Sequence, residues 1–118
     1  MYHRSLYDIV MDTGESIGRL IEPMEGEDEL FASTLTLRAI EAQLLIMAHT
    51  MGNFTPSLHA QLIHVDWNGW AVLHDTLRRG IQPRRSEIWY AVRALVPQTL
   101  KLLGDLRRRH PDWFELGF

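Results

Sequence analysis

Apolar residues recur at intervals of three and four along most of the chain, which is the pattern of helices that bury one face. This pattern predicts main helices over residues 4–21, 34–51, 67–79 and 87–109, and a short helix over 56–62. No stretch alternates between apolar and polar residues as a half-buried strand does. Because the links between the long helices are short, the pattern predicts an all-α fold, an antiparallel four-helix bundle with a short additional helix.

The predicted helix over 67–79 has the clearest boundaries. Asp66 precedes it, and an aspartate in that place can accept hydrogen bonds from the first free backbone N–H groups. Gly80 follows it, where a left-handed glycine commonly ends a helix. The predicted inward-facing stripe consists of Trp67, Trp70, Leu73, His74 and Leu77. His74 therefore lies at the edge of a core face, where a polar group is a candidate for a functional site.

Proline, serine and acidic residues set the other expected boundaries. Thr55 and Pro56 are typical of the cap and the first residue of a helix, and Ser86 is the expected cap of the last helix. The acid-rich stretch 22–29 predicts an exposed loop. Pro97 lies inside the last helix and removes one backbone hydrogen bond, so a bend is expected there.

The composition limits the class of protein. A chain of 118 residues is long enough for one domain, residues 1–118, with a substantial core. It contains no cysteine, which excludes disulfides, thiolate metal sites and a cysteine nucleophile. No apolar run approaches the roughly 18 residues of a membrane span. We therefore expect a cytoplasmic protein that does not associate with a membrane.

The net charge of −3 conceals an asymmetry between the two halves of the chain. Residues 1–60 carry nine acidic and three basic side chains, whereas residues 61–118 carry six acidic and nine basic ones. The arginines of the second half form the groups Arg78–Arg79, Arg84–Arg85 and Arg107–Arg109. Such groups can bind phosphate or an acidic partner, but exposed arginine pairs are also ordinary on protein surfaces.

No metal site and no cofactor are predicted. The acidic residues of 22–29 lack the spacing of a calcium-binding loop, and clustered carboxylates of this kind usually form a solvated loop. His59 and His64 are five residues apart, not the four that place two zinc ligands on one face of a helix. We expect these two histidines to be surface or capping residues.

Three segments carry a resemblance to a known family. Phe31-Ala32-Ser33 precedes a long apolar helix, Pro56 leads to Val65-Asp66-Trp67, and Ile88-Trp89 is followed by Leu95-Val96-Pro97. In this order and spacing they resemble the HepT-like branch of the HEPN superfamily, over nearly the whole chain. The resemblance implies a HEPN-like helical bundle that forms a homodimer. It also implies an RNA-cleaving toxin that is paired with a small nucleotidyltransferase as antitoxin.

The active-site motif of that family is an arginine, a polar residue, and a histidine about five positions after the arginine. Two copies meet at the dimer cleft, where RNA is cleaved by its own 2′-hydroxyl. The histidine acts in proton transfer and the arginine stabilises charge on the phosphate. In this chain His74 takes the arginine place, Asp75 the polar place and Arg79 the histidine place. The two key residue types are thus present in reversed order, and Ile81 replaces the tyrosine that the family has next.

Two functions follow from this resemblance. In the first, the protein is a metal-independent endoribonuclease with His74, Asp75 and Arg79 as catalytic residues at the dimer cleft. RNA or nucleotide would then be bound by Arg78, Arg84 and Arg85. In the second, the site has decayed, and the protein is a non-catalytic module that binds a nucleotidyltransferase or a substrate. Arg84, Arg85 and the aromatic tail of residues 113–118 would form that contact.

A purely structural role is open for the same residues. His74 on an apolar stripe can be a buried core histidine, and Asp75 can simply pair with Arg78 or Arg79 one turn away. From its periodicity, His49 on the second long helix is expected to face the same dimer seam as His74. The wide apolar stripe of that helix indicates contacts on two sides, as in a bundle centre or a dimer interface.

Overall fold

The computed structural model describes residues 2–80 and 85–111, with side chains from residue 5 onward. Helices follow one another throughout these ranges, which contain no strand, so the all-α prediction is confirmed. The helices are α1 (Tyr2–Ile21), α2 (Glu27–Ala32), α3 (Thr34–Met51), α4 (Pro56–Gln61), α5 (Trp67–Arg78), α6 (Arg85–Tyr90) and α7 (Val96–Arg109). A π-helical turn, Ala91–Leu95, joins α6 to α7. The predictions for Ile81, Arg84 and the aromatic tail lie outside the described residues.

The predicted ends of α5 are confirmed. The Asp66 carboxylate accepts a hydrogen bond from the backbone N–H of Gly69, with Oδ1 and N 2.9 Å apart. A Cβ on Gly69 would contact this carboxylate, so a larger residue there would require the Asp66 side chain to shift. Gly80 has a φ of 73°, the left-handed conformation in which glycine avoids the steric cost of a Cβ.

The predicted loop over residues 22–29 is wrong in its second half, where α2 begins at Glu27. Glu27, Asp28 and Glu29 form its first turn. Their charges are stabilised by the positive end of the helix dipole, so the acidic run favours a helix start as well as a solvated loop. Leu30 is completely buried and anchors the short helix to the core.

The last predicted helix also differs in detail. It begins by Arg85, so Ser86 lies inside the first turn of α6 and is not its cap. A π-helical turn, which was not predicted, lies just before Pro97, and in it the Val96 N–H donates to the Ala91 carbonyl. The bend expected at Pro97 stays a prediction. A proline has no N–H and its ring crowds the preceding turn, and a widened turn accommodates both effects.

The long helices pack around one apolar core. α3 lies between α1 and α5, α1 also contacts α7, and α2 packs on α3 and α6. The most completely buried side chains come from every long helix and are Val10, Ile17, Leu30, Ile40, Leu44, Met47, Met51, Trp70, Ile88, Val92 and Leu103. Within the described residues, none of the helices is long and apolar enough to span a membrane.

An aromatic stack joins α4 to the start of α5. The rings of His59 and Trp67 lie 3.8 Å apart and nearly parallel. The Trp67 indole N–H donates to the Leu62 carbonyl at 2.9 Å. His64 is exposed, as predicted, but His59 is half-buried against Trp67 and is not a simple surface or capping residue. The stack fixes the direction in which α5 leaves α4.

Candidate functional site

Two histidines from different helices meet on one side of the molecule. His49 lies near the end of α3 and His74 lies on α5, and their ring centres are 5.6 Å apart with planes inclined by 31°. The His49 side chain is exposed and that of His74 is half-buried. The two residues therefore lie on the same side of one chain, and the dimer seam expected there stays a prediction.

The two rings line an open pocket of about 320 Å³ between α3 and α5. The other lining residues are small or polar: Ala48, Gly52, Asn53 and Ala71. The side-chain amide of Asn53 donates to the His49 carbonyl at 2.8 Å, which fixes the end of α3 beside the ring. Because the pocket is open and its apolar residues are small, the imidazole groups are accessible to a solute.

The predicted catalytic residues of α5 point to different sides of the helix. At 3.6 residues per turn, Arg79 lies about 140° around the axis from His74, whereas Arg78 lies about 40° from it. Arg79 is paired with Asp75, with Nε and Oδ1 3.0 Å apart, and both side chains are more than half exposed. Within one chain, His74 therefore shares its side with Arg78, and Asp75 shares another side with Arg79.

Of the predicted RNA-binding arginines, Arg85 contacts α2 and does not line this pocket. The Arg85 Nη2 lies 2.7 Å from Asp28 Oδ1, and its guanidinium lies over the Phe31 ring at 4.7 Å. Arg85 thus ties α6 to α2. Arg84 lies outside the described residues, and Arg78 is exposed on α5.

An apolar cleft opens on the opposite flank of α5, between α5 and α6. It has a volume of about 240 Å³. Its lining includes Val72 and Tyr90, whose side chains are 58% and 49% exposed. Sequence periodicity did not point to this cleft, because the cleft depends on the distance between two helices, which periodicity does not give.

A row of exposed residues runs along the outer side of α3 and ends at His49. Its members are Leu35, Ala39, Ala42, Ile46 and His49. We call this row the α3 stripe. The intervals of four, three, four and three are those of a helix that packs against another helix. Leu35 is 82% exposed and Ile46 46%, so no part of the described ranges 2–80 and 85–111 covers the apolar area on this face.

The described residues contain no group of three or more histidine, cysteine, aspartate or glutamate side chains that could enclose a metal ion. Motif spacing could not reveal the His49–His74 pair, because its members are 25 positions apart.

Comparison of the chain with protein-family models, with curated proteins and with solved structures finds no match.

Proposed function

We propose that this protein is a HEPN-like homodimer that binds RNA and cleaves it without a metal, with the His49–His74 pocket as its site. In this proposal it is the toxin partner of a small nucleotidyltransferase. The observation that supports it most directly is the approach of two accessible imidazoles, from α3 and α5, to 5.6 Å. Arg78 follows His74 by one turn on the same side of α5 and supplies positive charge for a phosphate.

A pair of imidazoles suits cleavage by the RNA 2′-hydroxyl. One neutral imidazole takes the proton of the 2′-hydroxyl while its oxygen forms a bond to phosphorus. The bond from phosphorus to the 5′-oxygen breaks, and the second, protonated imidazole gives its proton to that oxygen. The products are a 2′,3′-cyclic phosphate and a 5′-hydroxyl. Each such proton transfer contributes roughly 100- to 10,000-fold to rate.

The position of the arginines limits how the reversed motif can act. Arg78 can stabilise phosphate charge beside His74 of its own chain. Arg79 faces elsewhere, and its ion pair with Asp75 neutralises it there. Arg79 can act on the same phosphate only from the second copy in a dimer, and that is the role we propose for it. Asp75 then holds the Arg79 side chain in one orientation.

The α3 stripe supports the homodimer. Apolar side chains such as Leu35 and Ile46 at helix-packing intervals are ordinarily covered by another helix. The small residues Ala39 and Ala42 let a second helix approach closely. Because the stripe ends at His49, a partner helix that crosses near Ile46 would bring its own His49–His74 pair to the same cleft. Within each chain, α1, α3, α5 and the α6–α7 unit would then form the four-helix bundle.

An RNA-cleavage assay tests the catalytic proposal. Purified full-length protein and its His49→Ala and His74→Ala variants are incubated with mixed RNA in the presence of a chelator. We expect cleavage by the parent, products that end in a cyclic phosphate, and a loss of at least about 100-fold in each variant. His64→Ala is the matched control because this exposed histidine lies outside the pocket.

Absence of cleavage by the parent, or equal cleavage by the parent and both pocket variants, would contradict the enzyme proposal. The same assay distinguishes the roles of the two arginines. Arg78→Ala and Arg79→Ala are each assayed alone and in a mixture with His74→Ala. If Arg79 acts across the dimer, mixing Arg79→Ala with His74→Ala partly restores activity, because every mixed dimer contains one intact site.

The second candidate is the non-catalytic module that binds a nucleotidyltransferase. The apolar cleft between α5 and α6 favours it, because Val72 and Tyr90 offer accessible apolar area beside it. Co-expression with a nucleotidyltransferase encoded beside this gene tests it. Val72→Glu is expected to prevent co-purification, whereas Ile63→Glu, at an exposed position outside the cleft, is not. Co-purification that survives Val72→Glu would exclude the cleft as the contact.

A further inference from the structure

We infer that His49 and His74 together bind one late first-row transition ion, Zn²⁺ or Cu²⁺, through one ring nitrogen each. This inference goes beyond the proposed function, which uses no metal, and it does not depend on RNA cleavage. It rests on the separation of the two rings, on their placement on two packed helices, and on the open pocket between them.

The ring separation fits chelation. A metal–nitrogen bond of about 2.0–2.1 Å places the ion roughly 3.2 Å from the centre of each imidazole ring. Near-tetrahedral coordination then puts the two ring centres roughly 5–6 Å apart. The centres of His49 and His74 are 5.6 Å apart. The stacked pair His59 and Trp67, at 3.8 Å, leaves no room for an ion between its rings.

The backbone positions of the two ligands are fixed before an ion arrives. His49 lies on α3 and His74 on α5, and these helices pack directly against each other. The carbonyl of His49 is held by the Asn53 amide. Residues Ala48, Ala71 and Gly52 leave the pocket open beside the rings, so water molecules can complete the coordination.

The donor set determines which ions the site prefers. Neutral imidazole nitrogens favour zinc, copper and nickel over magnesium or calcium, and copper(II) binds more tightly than zinc at such sites. No third histidine or carboxylate joins the pair among the described residues. We therefore expect weak, reversible binding and not a permanent structural metal.

Calorimetric titration of the metal-free full-length protein with zinc chloride, and separately with copper(II) chloride, tests the inference. We expect one ion per chain and tighter binding of copper. His49→Gln and His74→Gln should each weaken binding at least roughly tenfold, since even changes outside the ligands of metal sites have that effect. His64→Gln is the matched control and should bind as the parent does. The circular dichroism spectrum of each variant verifies that it is folded.

Electron paramagnetic resonance of the copper(II) complex counts the ligands. Two imidazole nitrogens are expected in the parent, and one in a variant that lacks either pocket histidine. Binding that does not saturate, binding by either pocket variant with the affinity of the parent, or binding lost in His64→Gln would overturn the inference. Neither titration contains RNA, so failure here leaves the proposed function standing, and an inactive ribonuclease leaves the metal site standing.

Discussion

Trp70 of α5 donates its indole N–H to the Thr99 hydroxyl of α7, with nitrogen and oxygen 3.0 Å apart inside the core. Both residues are about 1% exposed, so water does not replace this bond if it is lost. The bond connects the helix that carries His74 to the last helix of the chain. It satisfies the polar atom of a tryptophan that sequence periodicity places in the core.

Replacing Thr99 with valine is expected to destabilise the protein by about 1–3 kcal/mol, because the Trp70 N–H stays buried without an acceptor. Chemical denaturation followed by circular dichroism measures the change. Thr76→Val is the control, because the Thr76 hydroxyl donates to the Val72 carbonyl of its own helix near the surface. A Thr99→Val variant no less stable than Thr76→Val would show that the buried bond contributes nothing.

Replacement by alanine at two glycines of α1 is expected to change the stability of the protein in opposite directions. Gly18 is exposed with nothing within 4 Å of a new Cβ, so Gly18→Ala should stabilise the helix by about 0.5–1 kcal/mol. A Cβ on Gly14 would lie 2.6 Å from Leu100 Cδ2. Gly14→Ala should therefore destabilise the protein by about 1–3 kcal/mol through overpacking against α7.

Urea unfolding of the two alanine variants measures this difference. Both variants replace glycine with alanine in α1 and so change the helix propensity by the same amount. Each is therefore the control for the other. If both glycine positions gain stability equally, Leu100 does not restrain the approach of α1 to α7.

The Asp75–Arg79 ion pair is expected to matter more for RNA binding than for stability. Because both side chains are more than half exposed, Asp75→Asn should change the free energy of unfolding by about 0.5 kcal/mol or less. The same variant removes one negative charge and releases Arg79. It should therefore bind RNA more tightly, and with a steeper salt dependence, since one more cation contacts phosphate.

Fluorescence anisotropy with a labelled RNA at several salt concentrations measures this effect. Asp12→Asn is the matched control, because it removes an equal charge from an exposed position of α1. An equal increase of RNA affinity in both variants would mean that overall charge, and not release of Arg79, determines this affinity.

A charge at the centre of the α3 stripe is expected to prevent dimerisation. Ala42→Glu places a carboxylate where a second helix would approach, and the variant should sediment as a monomer under conditions where the parent is a dimer. Ala60→Glu, on the exposed side of α4, is the control. A monomeric parent would contradict the homodimer.

Single cysteine substitutions can locate the point at which the α3 helices of the two copies cross, because the chain has no cysteine of its own. If the copies share one histidine cleft, oxidation should cross-link Ile46→Cys efficiently and Leu35→Cys poorly. Efficient cross-linking of Leu35→Cys alone would place the two pockets apart and contradict the shared cleft.

Local signals in the sequence were sufficient to predict where most of the helices begin and end. Asp66 and Gly80 delimit α5 because capping and left-handed conformation depend on one or two neighbouring residues. The start of α2 was missed, because an acidic run favours a solvated loop and a first helical turn equally until the burial of Leu30 is known. The π-helical form of the break before Pro97 was missed as well, because the proline predicts an irregularity without specifying how the backbone accommodates it.

The amino-acid sequence by itself determined that this protein is helical, where most of its helices begin and end, and that His74 lies at the edge of a buried face. Those features depend on residues within one or two turns of each other. Only the tertiary structure decided that His49 approaches His74 to 5.6 Å. The distance between rings on separate helices depends on how α3 and α5 pack, which no local pattern records.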